Sequence, residues 1–249
     1  MQRYFVEKIE NEKNIIINND DYYHITKVMR MHINDRVYLC DTVNSYICKI
    51  IEITKTEVVL EAIEKLNEKK ELSMNVTIAH GIIRKEKMEE TIEKISALGA
   101  NFYLPVDMER CNAKFHDDKL DKKMIRLNKI AKEACEQSHR TNLLNVLQPI
   151  SFKNLLNECN KYDLLLVAYE NTNLEESLKK ILQKNKYQNA LVLVGPEGGI
   201  SEKELELLEK NGFIKVSLGP RILRTELAPV YIMSVIGYEL ESWYGKIKI

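Results

Sequence analysis

The stretch Ala190-Leu191-Val192-Leu193-Val194-Gly195-Pro196-Glu197-Gly198-Gly199 decides the reading of the fold. Its first half is an apolar run of strand length that enters, without a break, a turn with three glycines in five residues. In open α/β sheets, ligands bind beyond the carboxyl ends of the strands. Glycines at such an end let a ligand approach the backbone and leave amides free to bond it. No Gly-Lys-Ser/Thr follows, so the turn is not a phosphate-binding P-loop. Taken alone, the stretch leaves open an ordinary connection from strand to helix.

Working outward, strands alternate with helices. Further strands are predicted at Asn75 to His80, Asn101 to Val106, Asp163 to Ala168 and Phe213 to Leu218. A helix from about Lys87 to Leu98 puts Met88, Ile92 and Ile95 on one side and stops at Gly99. A second, from about Lys119 to Ser138, spaces Leu120, Met124, Leu127, Ala131 and Ala134 helically. A third follows Gly199, where Ser201 to Glu204 matches a capping box, and ends at Asn211-Gly212. This alternation predicts a parallel sheet with helices on both faces.

The first 65 or so residues have a different rhythm. Ile15 to Ile17, Arg36 to Cys40, Tyr46 to Ile53 and Glu57 to Ile63 read as short strands separated by turn residues. One helix, Tyr22 to Met31, interrupts them with Ile25, Val28 and Met29 on a shared face. The spacing suggests a small barrel. The charged stretch Leu66 to Glu71 marks a boundary between a first domain, residues 1–70, and a second, residues 71–249.

Another turn carries chemistry: Leu218-Gly219-Pro220-Arg221-Ile222-Leu223-Arg224-Thr225-Glu226. It also follows a strand and opens a helix. Two arginines and a glutamate there must be paired or used, because unpaired buried charge is costly. An Arg–Glu pair pinning the helix start is the plain alternative. The helix beyond, Leu227 to Trp243, is apolar on most sides and must be buried in a core or against another subunit. Pro229 fits only its first turn.

Composition narrows the field. Lys plus Arg and Asp plus Glu are both 37 in 249 residues, which argues against a tail-driven nucleic-acid binder but leaves room for a local basic face. The hydrophobic share of 45% supports a sizeable core. Five scattered cysteines form no Cys-x-x-Cys pair, so neither a metal site nor a disulfide framework is expected, and a reducing cytoplasm is. The early charges of the N-terminus disfavour a secretory leader, and no apolar run is long enough to span a membrane.

The two turns together resemble the RsmE-type 16S ribosomal RNA uracil-N3-methyltransferases of the SPOUT, or trefoil-knot, class. The resemblance extends to Lys85-Glu86-Lys87-Met88-Glu89, Leu98-Gly99, Pro105, Glu109-Arg110-Cys111 and Glu136-Gln137-Ser138 with Arg140. Near the start it takes in Arg3-Tyr4-Phe5-Val6, His24 to Arg30 and Asn34-Asp35, so it runs in order along nearly the whole chain. It implies a PUA-like, RNA-binding β-barrel followed by a knotted α/β domain, and a homodimer acting on 16S rRNA in the small ribosomal subunit. It implies S-adenosylmethionine held by Leu193, Gly195, Pro196, Glu197, Gly198, Gly199, Leu218, Gly219, Arg221, Ile222 and Leu223. Arg224 would stabilise charge on the uracil and Glu226, or water, would accept its proton. His139, Leu227 and Pro229 depart from the family's pattern.

RNA needs positive charge. From Arg110 to Lys132 there are eight basic residues against Asp117, Asp118 and Asp121. Within that run Lys122, Lys123 and Arg126 are candidates for phosphate contact. Arg3, His24, Arg30, Arg84, Lys87, Arg110 and Arg140 complete the expected RNA face. A solvated helix face with paired charges is the plain alternative. A SPOUT enzyme for another RNA or atom, and a non-catalytic RNA-binding protein on the same fold, are the rival readings.

Overall fold

A computed structural model describes residues 1–41, 43–115, 120–170, 177–184 and 186–241. The chain forms two compact units, Met1–Glu71 with Cys135–Leu143, and Leu72–Ala134 with Leu144–Ile249.

In the first unit, β1 (Arg3–Phe5), β2 (Ile15–Ile17), β3 (Arg36–Cys40), β4 (Ser45–Ile53) and β5 (Val58–Leu66) form one sheet in the order β1-β3-β4-β5-β2. Only β1 and β3 run parallel. Alternating side chains such as Ile15, Ile17, Val37, Leu39, Ile50 and Leu60 point into a shared core with Tyr4 and Ile25. The single helix expected over Tyr22 to Met31 is corrected. α1 (Asn19–Tyr23) widens at once into a π-helical turn, His24–Val28, closed by Met29 N–H donating to the His24 carbonyl at 2.8 Å. The wider turn leaves Val28 and Met29 in solvent, so that of the three residues expected on one face only Ile25 is in the core.

In the second unit, β6 (Asn75–Gly81), α2 (Lys85–Ala97), β7 (Phe102–Asp107), α3 (Leu120–Gln137), β8 (Asn145–Val146), β9 (Ile150–Ser151), α4 (Phe152–Asn157), β10 (Leu164–Ala168), α5 (Leu178–Lys184), β11 (Asn189–Val194), α6 (Glu202–Lys210), β12 (Ile214–Val216) and α7 (Ala228–Glu241) follow one another. The sheet runs β12-β10-β11-β6-β7-β8, with β9 also on β7, and every pairing is parallel. β11 lies between β10 and β6, so the turn after it opens at the centre of the sheet's carboxyl edge. α2 buries Met88, Ile92 and Ile95 as its spacing predicts. Asp117, Asp118 and Lys119 of the basic run, and Ser242 and Trp243 at the end of the last helix, lie outside the described residues. Among the described residues no helix is long and apolar enough to cross a membrane.

α7 is buried on one side only. Ala228, Pro229, Ile232, Met233, Ile236 and Gly237 face the core, with α7 packed on α2 and α5. Leu227, Tyr231 and Tyr238 are exposed, Tyr238 by 73%.

Candidate active site

The sequence builds the glycine turn from both ends. β11 is fully apolar and buried, and carries the chain to Gly195. Pro196 then opens a tight turn, closed by Gly199 N–H donating to the Pro196 carbonyl at 2.9 Å. Ser201 caps α6: its hydroxyl accepts from Glu204 N–H, and the Glu204 carboxylate accepts from Ser201 N–H at 3.1 Å. The loop after β7 clasps this cap. Glu109 N–H donates to Glu204 at 2.9 Å and the Ser201 hydroxyl donates to Glu109 at 2.8 Å. A Cβ on Gly198 would come within 2.7 Å of the Arg110 carbonyl oxygen, so only glycine fits this approach.

The turn forms one wall of a cavity of about 930 Å³. Residues 217–226 form the facing wall, and Ala168, Tyr169 and Glu170 close the end beyond β10. Gly195, Pro196, Glu197, Gly198, Gly199, Leu218, Gly219, Arg221, Ile222 and Leu223 all line it, with Arg224 and Glu226. Leu193 does not. It is fully buried in the core under the sheet, one residue too early on the strand to reach the edge. Tyr169 and Glu170 were missed in the sequence. The signal for them was the end of a neighbouring parallel strand.

Three charges meet inside. Lys87, in the first turn of α2, places its ammonium 3.2 Å from Glu226 Oε2 and 3.8 Å from Glu197 Oε1. Burial works against the Glu226 carboxylate, but its own backbone N–H, the Lys87 ammonium and Arg224 outweigh burial and hold the carboxyl below the usual range. Both Glu197 oxygens are buried and accept no hydrogen bond among the described residues. A ligand that donates hydrogen bonds or carries positive charge would satisfy the Glu197 carboxylate. Lys87, expected on the RNA face, lines the cavity. Arg221 and Arg224 are exposed at its rim.

Two of the expected RNA contacts are buried instead. Arg3 is buried in the first unit, donating to Glu68 at 2.6 Å, Cys40 Sγ at 2.9 Å and the Arg140 carbonyl at 3.1 Å, with Tyr38 beside it. Arg140 is also buried and pairs with Glu71 at 2.5 Å. Both guanidiniums meet carboxylates of the charged stretch read as a boundary, and neither faces solvent. His24 hydrogen-bonds Tyr4 at 2.9 Å. Arg30 and Arg84 are exposed, and Arg110 reaches the Gly198 and Ile200 carbonyls at 3.5 and 3.4 Å. On α3, Lys122 is exposed, Arg126 grips Glu89 through two nitrogens, and Lys123 lies over Phe115. Burial and the neighbouring Lys85 push the Lys123 ammonium below its usual value. Among the described residues no three His, Cys, Asp or Glu side chains gather as metal ligands.

Known proteins share this architecture. A family model for the RNA methyltransferase domain matches residues 70–237, and one for the RNA methyltransferase PUA domain matches residues 17–63. Ribosomal RNA small subunit methyltransferase E of Bacillus subtilis (strain 168) is 37% identical over 254 residues, covering 98% of this chain and 99% of that protein. A crystal structure described as a hypothetical protein has a TM-score of 0.89 at 36% identity, covering 97% of this chain and 100% of that one. Ribosomal RNA small subunit methyltransferase E from Neisseria gonorrhoeae, solved bound to S-adenosyl methionine, has a TM-score of 0.83 at 25% identity, covering 95% and 96%.

Proposed function

Because the chain belongs to the ribosomal RNA small subunit methyltransferase E family, we propose that it methylates N3 of a uridine in 16S rRNA, with S-adenosylmethionine as donor. The observation that carries this reading is the cavity at the centre of the sheet edge, walled by the two turns and holding the Glu197 and Glu226 carboxylates. When bound, S-adenosylmethionine supplies a methyl group on a positively charged sulfur, and its cationic and hydrogen-bond-donating groups fit the unsatisfied Glu197 carboxylate. Backbone groups of residues 195–199 and 218–223 would hold it.

The chain's own side chains then have two tasks. Glu226 is ionised at neutral pH, so it can accept the N3 proton. A carboxylate held below its usual pKa is a weak base, so the uracil must be made more acidic as its proton leaves. Lys87 inside the cavity and Arg224 at the rim are the cations placed to meet the negative charge that develops. Arg30, Arg84, Arg110 and Lys122 are exposed cations that can meet the RNA backbone. The exposed apolar face of α7 supports a homodimer. A trefoil knot through the two turns belongs to the same reading.

Mass spectrometry of ribosomal RNA nucleosides from a deletion strain tests the function. Loss of 3-methyluridine and its return on complementation are expected. An unchanged 3-methyluridine level would refute the proposal.

A further inference from the structure

Beside the cavity runs a chain of buried and part-buried hydrogen bonds that the proposed reaction does not use. His80, the penultimate residue of β6, is fully buried. Its Nδ1 lies 3.0 Å from the Tyr103 hydroxyl on β7, and its Nε2 lies 2.8 Å from the Thr225 hydroxyl. Thr225 Oγ1 in turn donates to the Gly195 carbonyl at 2.7 Å. The directions follow from that last bond. The Thr225 proton is committed to a carbonyl, which can only accept, so His80 Nε2 must donate to Thr225. His80 Nδ1 is then the acceptor, and Tyr103 donates to it. The ring is a neutral Nε2–H tautomer. Burial pushes its pKa down to about 3, against the opposing pull of Glu226, in keeping with a neutral ring.

The series joins the two walls of the cavity. Thr225 belongs to the second turn and Gly195 to the first. Residue 196 is proline, so the Gly195–Pro196 peptide has no N–H, and its carbonyl is the one polar group that can be gripped. The seat is tight as well as polar: a Cβ on Gly81, next to His80, would stand 2.4 Å from Pro196 Cδ. β6 therefore presses on the first turn while its histidine holds the second turn to it.

We propose that His80 and Thr225 are positioning residues that set the separation of the two turns, and so the affinity of the site for its methyl donor. This rests on the reading of the cavity as the S-adenosylmethionine site. Losing the Thr225 hydroxyl strands two buried groups at once, the Gly195 carbonyl and the His80 Nε2–H. Serine keeps the hydroxyl and loses only a methyl.

The test is calorimetry with S-adenosylmethionine on the full chain, paired with thermal unfolding and steady-state kinetics. Thr225→Val should weaken binding about tenfold and raise KM for the donor by more than it lowers kcat. Thr225→Ser should bind within about twofold of the parent. Equal affinity for the parent and Thr225→Val, or equal losses in the valine and serine variants, would overturn the proposal. If the parent itself does not bind S-adenosylmethionine, the functional reading fails and takes this inference with it. Nitrogen-15 NMR of the unliganded protein supplies a readout independent of the donor. The His80 ring should show the Nε2–H tautomer and no titration between about pH 5 and 8. The Nδ1–H tautomer, or a ring that titrates there, would overturn the proposal.

Discussion

Arg140 shows how far a single residue's role depends on what the fold brings to it. Its guanidinium meets Glu71, whose other oxygen accepts from the backbone N–H groups of Thr141 and Asn142 at 2.8 and 3.0 Å. Burial raises the Glu71 carboxyl, but Arg140 and these amides outweigh it and hold it below the usual glutamate range. Its stabilisation is therefore present above that range and lost as pH falls through the lower folded value. Glu71→Gln should cost about 3 kcal/mol at neutral pH. Urea midpoints of parent and variant, measured from neutral to acid pH, should converge in acid. In the cavity, Glu226→Gln should abolish turnover and leave donor affinity nearly intact; normal turnover would remove Glu226 as proton acceptor. Sequence alone could not sort these residues. Arg3 and Lys87 stand in stretches that resemble the family, and a cation looks the same there whether it meets RNA or a carboxylate. The carboxylates that decided the matter, Glu68 and Glu226, lie 65 and 139 residues further along the chain. His80 gave no signal at all, because its partners come from β7 and from the second turn.

Elements with strong local chemistry were legible. The capping box at Ser201 and Glu204, the apolar spacing of α2 and the long strands β4, β5, β6 and β11 fall where periodicity predicts them. Those missed are short: β1, β8, β9, α4 and α5 have too few residues for a period to show, and tertiary packing forms them. The π-helical turn was also hidden, since α and π windings share the same first residues. Ser201→Ala removes the α6 cap and its link to Glu109, so it should cost about 1 kcal/mol, lowering the thermal midpoint by about 3 °C. α7 is the element whose sequence asks for more burial than one chain provides. Replacing Tyr231 and Tyr238 with glutamate should convert a dimer to a monomer in analytical ultracentrifugation, without unfolding it. A dimer that survives both changes would place the interface elsewhere.

At the scale of the whole molecule, a net charge of zero hides how unevenly the cations are committed. Lys87, Arg126 and Arg140 are paired with carboxylates, while Lys122 stands exposed. Reversing Lys122 and Lys123 to glutamate should weaken RNA binding and flatten its dependence on log salt by about two. An unchanged salt slope would leave α3 without an RNA role. The parallel sheet was legible from the alternation of elements, but the order of its strands was not, because strand order is a property of crossovers and leaves no local pattern. One crossover has a consequence for biosynthesis. The first unit takes Cys135–Leu143 from far along the chain, and Arg3 bonds a carbonyl 137 residues away. A nascent chain therefore brings out its opening sheet long before the segment that completes it. Until residue 143 has been translated, Arg3 lacks one acceptor and Glu71 lacks its cation. The amino-terminal sheet and residues 135–143 must mature together, so a ribosome paused before that point should display a protease-sensitive sheet and one paused well after it a resistant one.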